Sequence, residues 1–205
     1  MVLSVYNVTF KINGILITDK ILQKKIPFEF KNYRINCDSI NYQPNEFYHI
    51  KSKKIEASNT DLNIVSLKII PEYSRHIFVS RIPKEQNLYT INCRSIKGDK
   101  MNWGFKGEDF FFYCNAIALD KVAAVIYKSS EPPDDLSKQH LYYKQLRDMN
   151  FDLRIDTLKV RNAMLEYEEQ KSFDIGAAKL ILNPFKLTAT YICRGFKKTA
   201  LPILK

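Results

Sequence analysis

The sequence predicts an α+β protein dominated by β-structure: two similar β units sharing one core, followed by a helix and carboxy-terminal strands. Three observations carry this. The segment Tyr33-Arg34-Ile35-Asn36-Cys37-Asp38-Ser39-Ile40 returns as Tyr89-Thr90-Ile91-Asn92-Cys93-Arg94-Ser95-Ile96, and both copies alternate as strands do. Each copy is followed, after a polar stretch, by an apolar strand, at 64–70 and at 122–127. A single segment, 136–149, has the composition of a good helix, without glycine, proline or a β-branched run. With 205 residues the chain reads as one compact β-rich domain over 1–205, and the only candidate boundary is the proline-rich point at 131–135.

The elements follow in order. Residues 5–12 alternate, Asn13-Gly14 is a two-residue hairpin signal, and Ile15-Leu16-Ile17 is expected to return from it. Pro27 introduces Phe28-Glu29-Phe30 and the first echoed strand; Pro44-Asn45 turns the chain toward Phe47-Tyr48-His49-Ile50 and a lysine cluster. A strand is expected at 62–70, ended by Pro71, and a short one at 76–82, ended by Pro83. The second echo leads into a glycine-rich loop at 97–107, which holds three of the chain's six glycines. Phe110-Phe111-Phe112-Tyr113-Cys114 is apolar on both faces, as a central strand is, and 116–127 continues it. Pro132-Pro133-Asp134-Asp135 supplies the start of the helix; Lys144 and Arg147 near its end suit the dipole, and Tyr142, Leu146 and Met149 form its apolar stripe. Residues 151–160 alternate as a strand, 173–182 fit helix or strand, and 186–193 close the fold before a basic tail.

The formal net charge of +10 favours an anionic partner, nucleic acid or an acidic membrane surface, although lysines also guard strand edges and keep a β-rich surface soluble. No run reaches the roughly 18 apolar residues of a membrane helix, and the amino terminus lacks the pattern of a secretion signal, so an intracellular protein, cytoplasmic or nuclear, is expected. Cys37, Cys93, Cys114 and Cys193 stand far apart with no CxxC, and read as small apolar side chains in a reducing compartment rather than as zinc ligands.

The nucleophile-elbow, zincin, Walker and dinucleotide motifs are absent, and the three histidines are isolated. A non-enzymatic protein without cofactor, metal or small-molecule substrate is therefore expected. The rival is a metal-dependent nucleic-acid-processing enzyme with a sparse carboxylate site around Asp109, Asp152, Asp156 and Asp174; a third reading is a protein-interaction module. Tyr127, Pro132-Pro133-Asp134-Asp135, Gln139, Tyr143, Leu146, Phe151, Leu158-Lys159-Val160-Arg161 and Lys171-Ser172-Phe173-Asp174-Ile175-Gly176 together resemble part of the NYN (LabA-like) ribonuclease domain, over less than a third of the chain. That resemblance implies a metal held by aspartates. Asn115 would match the family's asparagine, but Phe112 and Leu180 stand where two of its aspartates belong.

The sharpest functional signal is basic and aromatic. The glycine-rich segment interleaves Lys97, Lys100, Trp103, Phe105 and Lys106, offering cations for phosphates and rings for bases. Lys51, Lys53 and Lys54 fall at the comparable place in the first unit, so the two clusters are expected to form one patch, with Arg194, Lys197 and Lys198 of the tail as further contacts. The expected function is a structural or assembly protein that binds nucleic acid, RNA before DNA, or an anionic membrane, and that self-associates. Heavy use of Ile, Lys, Asn, Tyr and Phe suits an AT-rich genome and a small viral matrix-type or accessory protein.

Overall fold

The structure is a computed structural model that describes residues 2–135, 149 and 151–194. It is β-dominated, with one large, mostly antiparallel sheet. The strands are β1 (Val2–Tyr6), β2 (Thr9–Asn13), β3 (Asn32–Asn45), β4 (Tyr48–Ser58), β5 (Leu62–Pro71), β6 (Leu88–Lys106), β7 (Asp109–Ser129), β8 (Asp152–Gln170) and β9 (Ala178–Cys193). Helix α1 (Asp19–Leu22) is a single turn and α2 (Arg75–Arg81) two. Strand order is β1-β3-β4-β5-β6-β7-β8-β9, with β2 lying beyond β1 along the same edge of β3. Among the described strands only β7 and β8 run parallel.

Both echoed segments are strands of this sheet, within β3 and β6. Several expectations are corrected. The Asn13-Gly14 hairpin is absent: β2 takes β3 as its neighbour, and Leu16 bridges to Glu29 instead of returning along β2. The expected strand at 76–82 is helix α2, because Phe78, Val79 and Ile82 recur at helical spacing and bury against Leu88 and Tyr127. The glycine-rich loop is the second half of β6, in continuous register with β7 until a turn at Gly107 (φ +65°), and the lysine cluster at 51–54 lies within β4. The acidic stretch Glu166-Tyr167-Glu168-Glu169 belongs to β8, and 178–193 is one strand. The helix expected at 136–149 lies outside the described residues except for Met149.

The sheet's end near α2 holds the main buried cluster, with Phe78, Val79, Ile82, Leu88 and Tyr127 packed beside Phe47, Tyr48, Tyr73 and Phe173. At the opposite end β6 overhangs the β4–β5 turn. Leu62 pairs with Gly98, the Met101 N–H donates to the Thr60 carbonyl at 2.7 Å, and the strand runs on to Lys106. Rings fill this overhang. Phe30 meets Tyr33 edge-on at 5.6 Å, Tyr33 meets Trp103 at 5.7 Å, and Phe110 touches Trp103, Phe105 and Phe151.

Between these ends the ladder is broken along a line crossing the strands. Asn7, Lys54, Lys121 and Asn162 have φ of 51°, 48°, 52° and 50°, in the left-handed region that side chains other than glycine seldom enter. Register places Lys54 opposite Asp38, between the pairs Cys37–Ile55 and Ser39–Lys53. It places Lys121 opposite Arg94 on one side and Asn162 on the other. A second crease aligns Lys100 (φ 51°), Asn115, Asp156 and Tyr191 (φ 57°).

Three of the left-handed residues occupy the same place in a four-residue step between buried residues. Ser52 and Ile55 are both buried around Lys54, Gly98 and Met101 around Lys100, and Val160 and Ala163 around Asn162. In an unbroken strand residues three apart face opposite ways. The crease resets the alternation, so apolar residues stay on one side of the sheet as it bends.

Three cysteines serve this geometry. The Cys37, Cys93 and Cys114 thiols donate to the carbonyls two residues on, of Ser39 (3.2 Å), Ser95 (3.3 Å) and Ala116 (3.2 Å). Each also reaches a carbonyl on the adjacent strand, of Tyr6, Asp120 and Asp99, the residues just before the left-handed Asn7, Lys121 and Lys100. Thiols thus approach carbonyls at the points where the ladder is interrupted. Burial raises the pKa of Cys93 and Cys114, which keeps them as thiols. All four cysteines are free.

The left-handed backbone gives a direct test. Lys121→Gly is expected to be neutral or stabilising, whereas Lys121→Val, β-branched at φ 52°, is expected to be less stable than the glycine variant by about 1–2 kcal/mol. Urea unfolding of the two variants checks the order.

Candidate polyanion-binding face

The crease organises cations. Lys51 and Lys68 are direct cross-strand partners on β4 and β5. Arg94 and Lys121 oppose each other on β6 and β7, and Lys97 and Lys159 share a row with only Ala118 between them. Lys53 and Lys54 complete the band on β4, and every one of these side chains is exposed. None of the eight belongs to an ion pair among the described residues. Like charges directly across a ladder are destabilising, by a few tenths of a kcal/mol to about 1 kcal/mol a pair, and a bound anion would reverse the sign of that interaction.

Because the crease resets the alternation, the polar rows on either side of it open to the same face. The row of Lys97 and Lys159 lies on one side, with Glu56 and Asn63 at its β4–β5 end. The row of Lys51 and Lys68 lies on the other, continuing through Asn92. Arg161 faces Asp120 across β7–β8, so the band is diluted toward β8.

The other expected contacts fall elsewhere. Lys100 is exposed, on the second crease. Trp103 is half-buried, its indole N–H donating to the Tyr33 hydroxyl at 2.5 Å; it ties the overhang of β6 to β3. The Lys106 ammonium donates to the Tyr113 hydroxyl (2.8 Å), which raises its pKa, and lies over the Phe111 and Tyr113 rings. The Arg194 guanidinium donates to the Phe151 carbonyl at 2.9 Å. Lys197 and Lys198 lie outside the described residues.

Phe105 opens onto a cavity of about 840 Å³ with Lys24, Lys25, Phe28, Phe30 and Glu108, and the Lys25 ammonium sits 4.7 Å above its ring. Lys24 is paired with Glu29 at 2.7 Å. The signal for this grouping was present in sequence as Lys24-Lys25 followed by Phe28 and Phe30. What the sequence withheld was the turn that brings them to Phe105.

The carboxylates of the rival reading do not converge. Asp152 accepts from the Tyr113 hydroxyl, Asp156 pairs with Arg154, and Asp109 and Asp174 are exposed. Among the described residues no three metal-ligating side chains cluster, and no helix is long and apolar enough to cross a membrane. Comparison with family models, curated proteins and solved structures finds no match. The site therefore stands on its own chemistry.

Proposed function

We propose that this chain is a non-enzymatic structural or assembly protein that holds nucleic acid, RNA in the first instance, across the creased polar face of its sheet. The supporting observation is the band of exposed cations Lys51, Lys53, Lys54, Lys68, Arg94, Lys97, Lys121 and Lys159, none in an ion pair among the described residues, in which strand register sets Lys51 opposite Lys68 and Arg94 opposite Lys121. Phosphates neutralise such pairs and release counterions, so affinity follows the number of contacts and not base identity. The open cavity at Phe105 adds half-buried rings near basic side chains, a combination that suits unstacked bases. A small viral matrix-type or accessory role fits charge and size.

We also read the two echoed strands as the cores of two related β units. The shared sequence and the burial of Cys37 and Cys93 at equivalent places in it support that reading.

A salt titration tests the function. With single-stranded RNA, the logarithm of affinity is expected to fall linearly with the logarithm of salt concentration, with a slope of about −3 to −6 for a band of this size. Duplex DNA and phosphatidylserine vesicles run in parallel separate nucleic acid from membrane. Affinity indifferent to salt, or confined to vesicles, would overturn the proposal.

A further inference from the structure

A second group of cations lies apart from the band. Lys11 and Arg34 are direct partners on β2 and β3, and so are Asn13 and Asn32, two residues along the same strands. Side chains two apart share a face, so the four stand as a square, about 5 Å across the strands and about 7 Å along them. The burial pattern agrees: all four are exposed, whereas Ile12 and Ile35 on the other face are half-buried and Tyr33 is buried. With Ser58 and Thr60 they line a cavity of about 420 Å³ whose lining holds no carboxylate.

The four side chains are unengaged. Among the described residues none of them has an ion-pair, side-chain hydrogen-bond or ring partner. The Ser58 and Thr60 hydroxyls, by contrast, donate to the Asp61 carboxylate at 3.2 and 2.7 Å. The square thus presents a guanidinium fork, an ammonium and two amides to one point. Like charges opposed across a ladder are destabilising. Here they act on a five-residue strand that pairs with β3 alone among the described strands. An anion between them reverses the sign.

The next row separates the square from the band. Asn36, two residues beyond Arg34, shares that row with Glu56, Asn63 and Lys97. Glu56 is exposed, so a phosphodiester backbone passing from Lys97 toward Arg34 meets a carboxylate first. An isolated site suits a phosphate outside the continuous run. A phosphate monoester carries close to two charges and three free oxygens, which match two adjacent cations, one of them able to bind bidentately.

We propose that the Lys11–Arg34 square binds a phosphate monoester, supplied by the phosphorylated end of the strand held on the band. The source rests on the nucleic-acid reading of the band; the site does not.

Two measurements on the full chain test these halves separately. About 20 mM inorganic phosphate, against chloride at equal ionic strength, is expected to raise the unfolding temperature of the wild type by about 2–4 °C. In Lys11→Gln/Arg34→Gln the rise is expected to be under about 1 °C, the residue of general salt effects. Hydrogen exchange of residues 9–13 in the wild type, which requires no variant, is expected to slow with phosphate. With single-stranded RNA, a phosphorylated end is expected to tighten binding about tenfold over a hydroxyl end, the 5′ and 3′ ends being compared separately. Lys11→Gln/Arg34→Gln is expected to lose that ratio and keep most of its affinity for the hydroxyl-ended strand. Lys53→Glu/Arg94→Glu is expected to lower both affinities and keep the ratio. Exchange and unfolding of the wild type indifferent to phosphate would overturn the site. A response to phosphate with no gain from either phosphorylated end, or an equal gain from a phosphoserine peptide, would overturn the strand end as its source. Absence of salt-dependent RNA binding would overturn the band, and with it that source, while the phosphate response decides the site by itself.

Discussion

Lys53→Glu combined with Arg94→Glu is expected to weaken binding to single-stranded RNA by roughly 10–100-fold at 0.1 M salt and to reduce the magnitude of the salt slope by about 1–2. Lys53 and Arg94 flank β5 near the first crease, both exposed and neither in an ion pair among the described residues. Each reversal removes a phosphate contact and places a carboxylate in its stead. The control is Lys20→Glu with Lys171→Glu, which changes net charge equally at exposed positions off the large strands. If geometry and not net charge determines binding, the control retains most of the affinity. Equal losses in both double variants would reduce the band to a share of a diffuse field. The thermal unfolding of both is expected to stay near the wild type, because exposed charges contribute little to stability.

Arg75→Ala is expected to cost about 3 kcal/mol of stability at pH 7, much less at pH 3. The Arg75 guanidinium, from α2, donates two N–H groups to the Glu168 carboxylate on β8 and lies 4.4 Å from the centre of the Tyr127 ring. Glu168 is 2% exposed, and its remaining cation is Lys179 at 3.3 Å. Loss of Arg75 leaves a buried carboxylate with one half-exposed partner and uncovers a fully buried tyrosine. The bond from Arg75, reinforced by Lys179 and opposed by desolvation, holds the Glu168 carboxyl below the usual carboxylate range. A carboxylate whose folded pKa is depressed contributes stability above its unfolded pKa, near 4.3, and loses it as pH falls through the folded value. The gap between wild type and Arg75→Ala therefore narrows on acidification. Urea midpoints at the two pH values measure it, and a gap unchanged between them would assign the cost to lost packing over Tyr127 alone.

Legibility of the fold varied with how local its cause was. The strands carrying the echo, the strand ended by Pro71 and the central run of Phe110, Phe111 and Phe112 were readable because period-two alternation is a local signal. Helix α2 was missed because Val79 and Ile82 look like strand residues, and only burial against Tyr127 shows the helical stripe. The glycine-rich segment was misread because Gly98 and Gly104 signal flexibility in isolation, whereas each sits where a side chain would press on Leu62 and Met101 or on Phe111. At the site, Lys51, Lys53, Lys54 and Lys97 were visible as clusters. Lys68, Arg94, Lys121 and Lys159 were not, since each stands alone in sequence and joins the others only through strand register. The creases were written in sequence as apolar residues three apart, at Cys37 and Ile40 and again at Cys93 and Ile96, a spacing that resembles noise until the backbone at Lys54 and Lys121 explains it.

Left-handed steps aligned from strand to strand act on the sheet as a score line acts on card. Bending stiffness is expected to drop along the two creases, because pairs are missing from the ladder along those lines. Flexing about such a line would spread or gather the lysines on either side, so under the proposed function curvature becomes a mechanical variable on which a bound polyanion would pull.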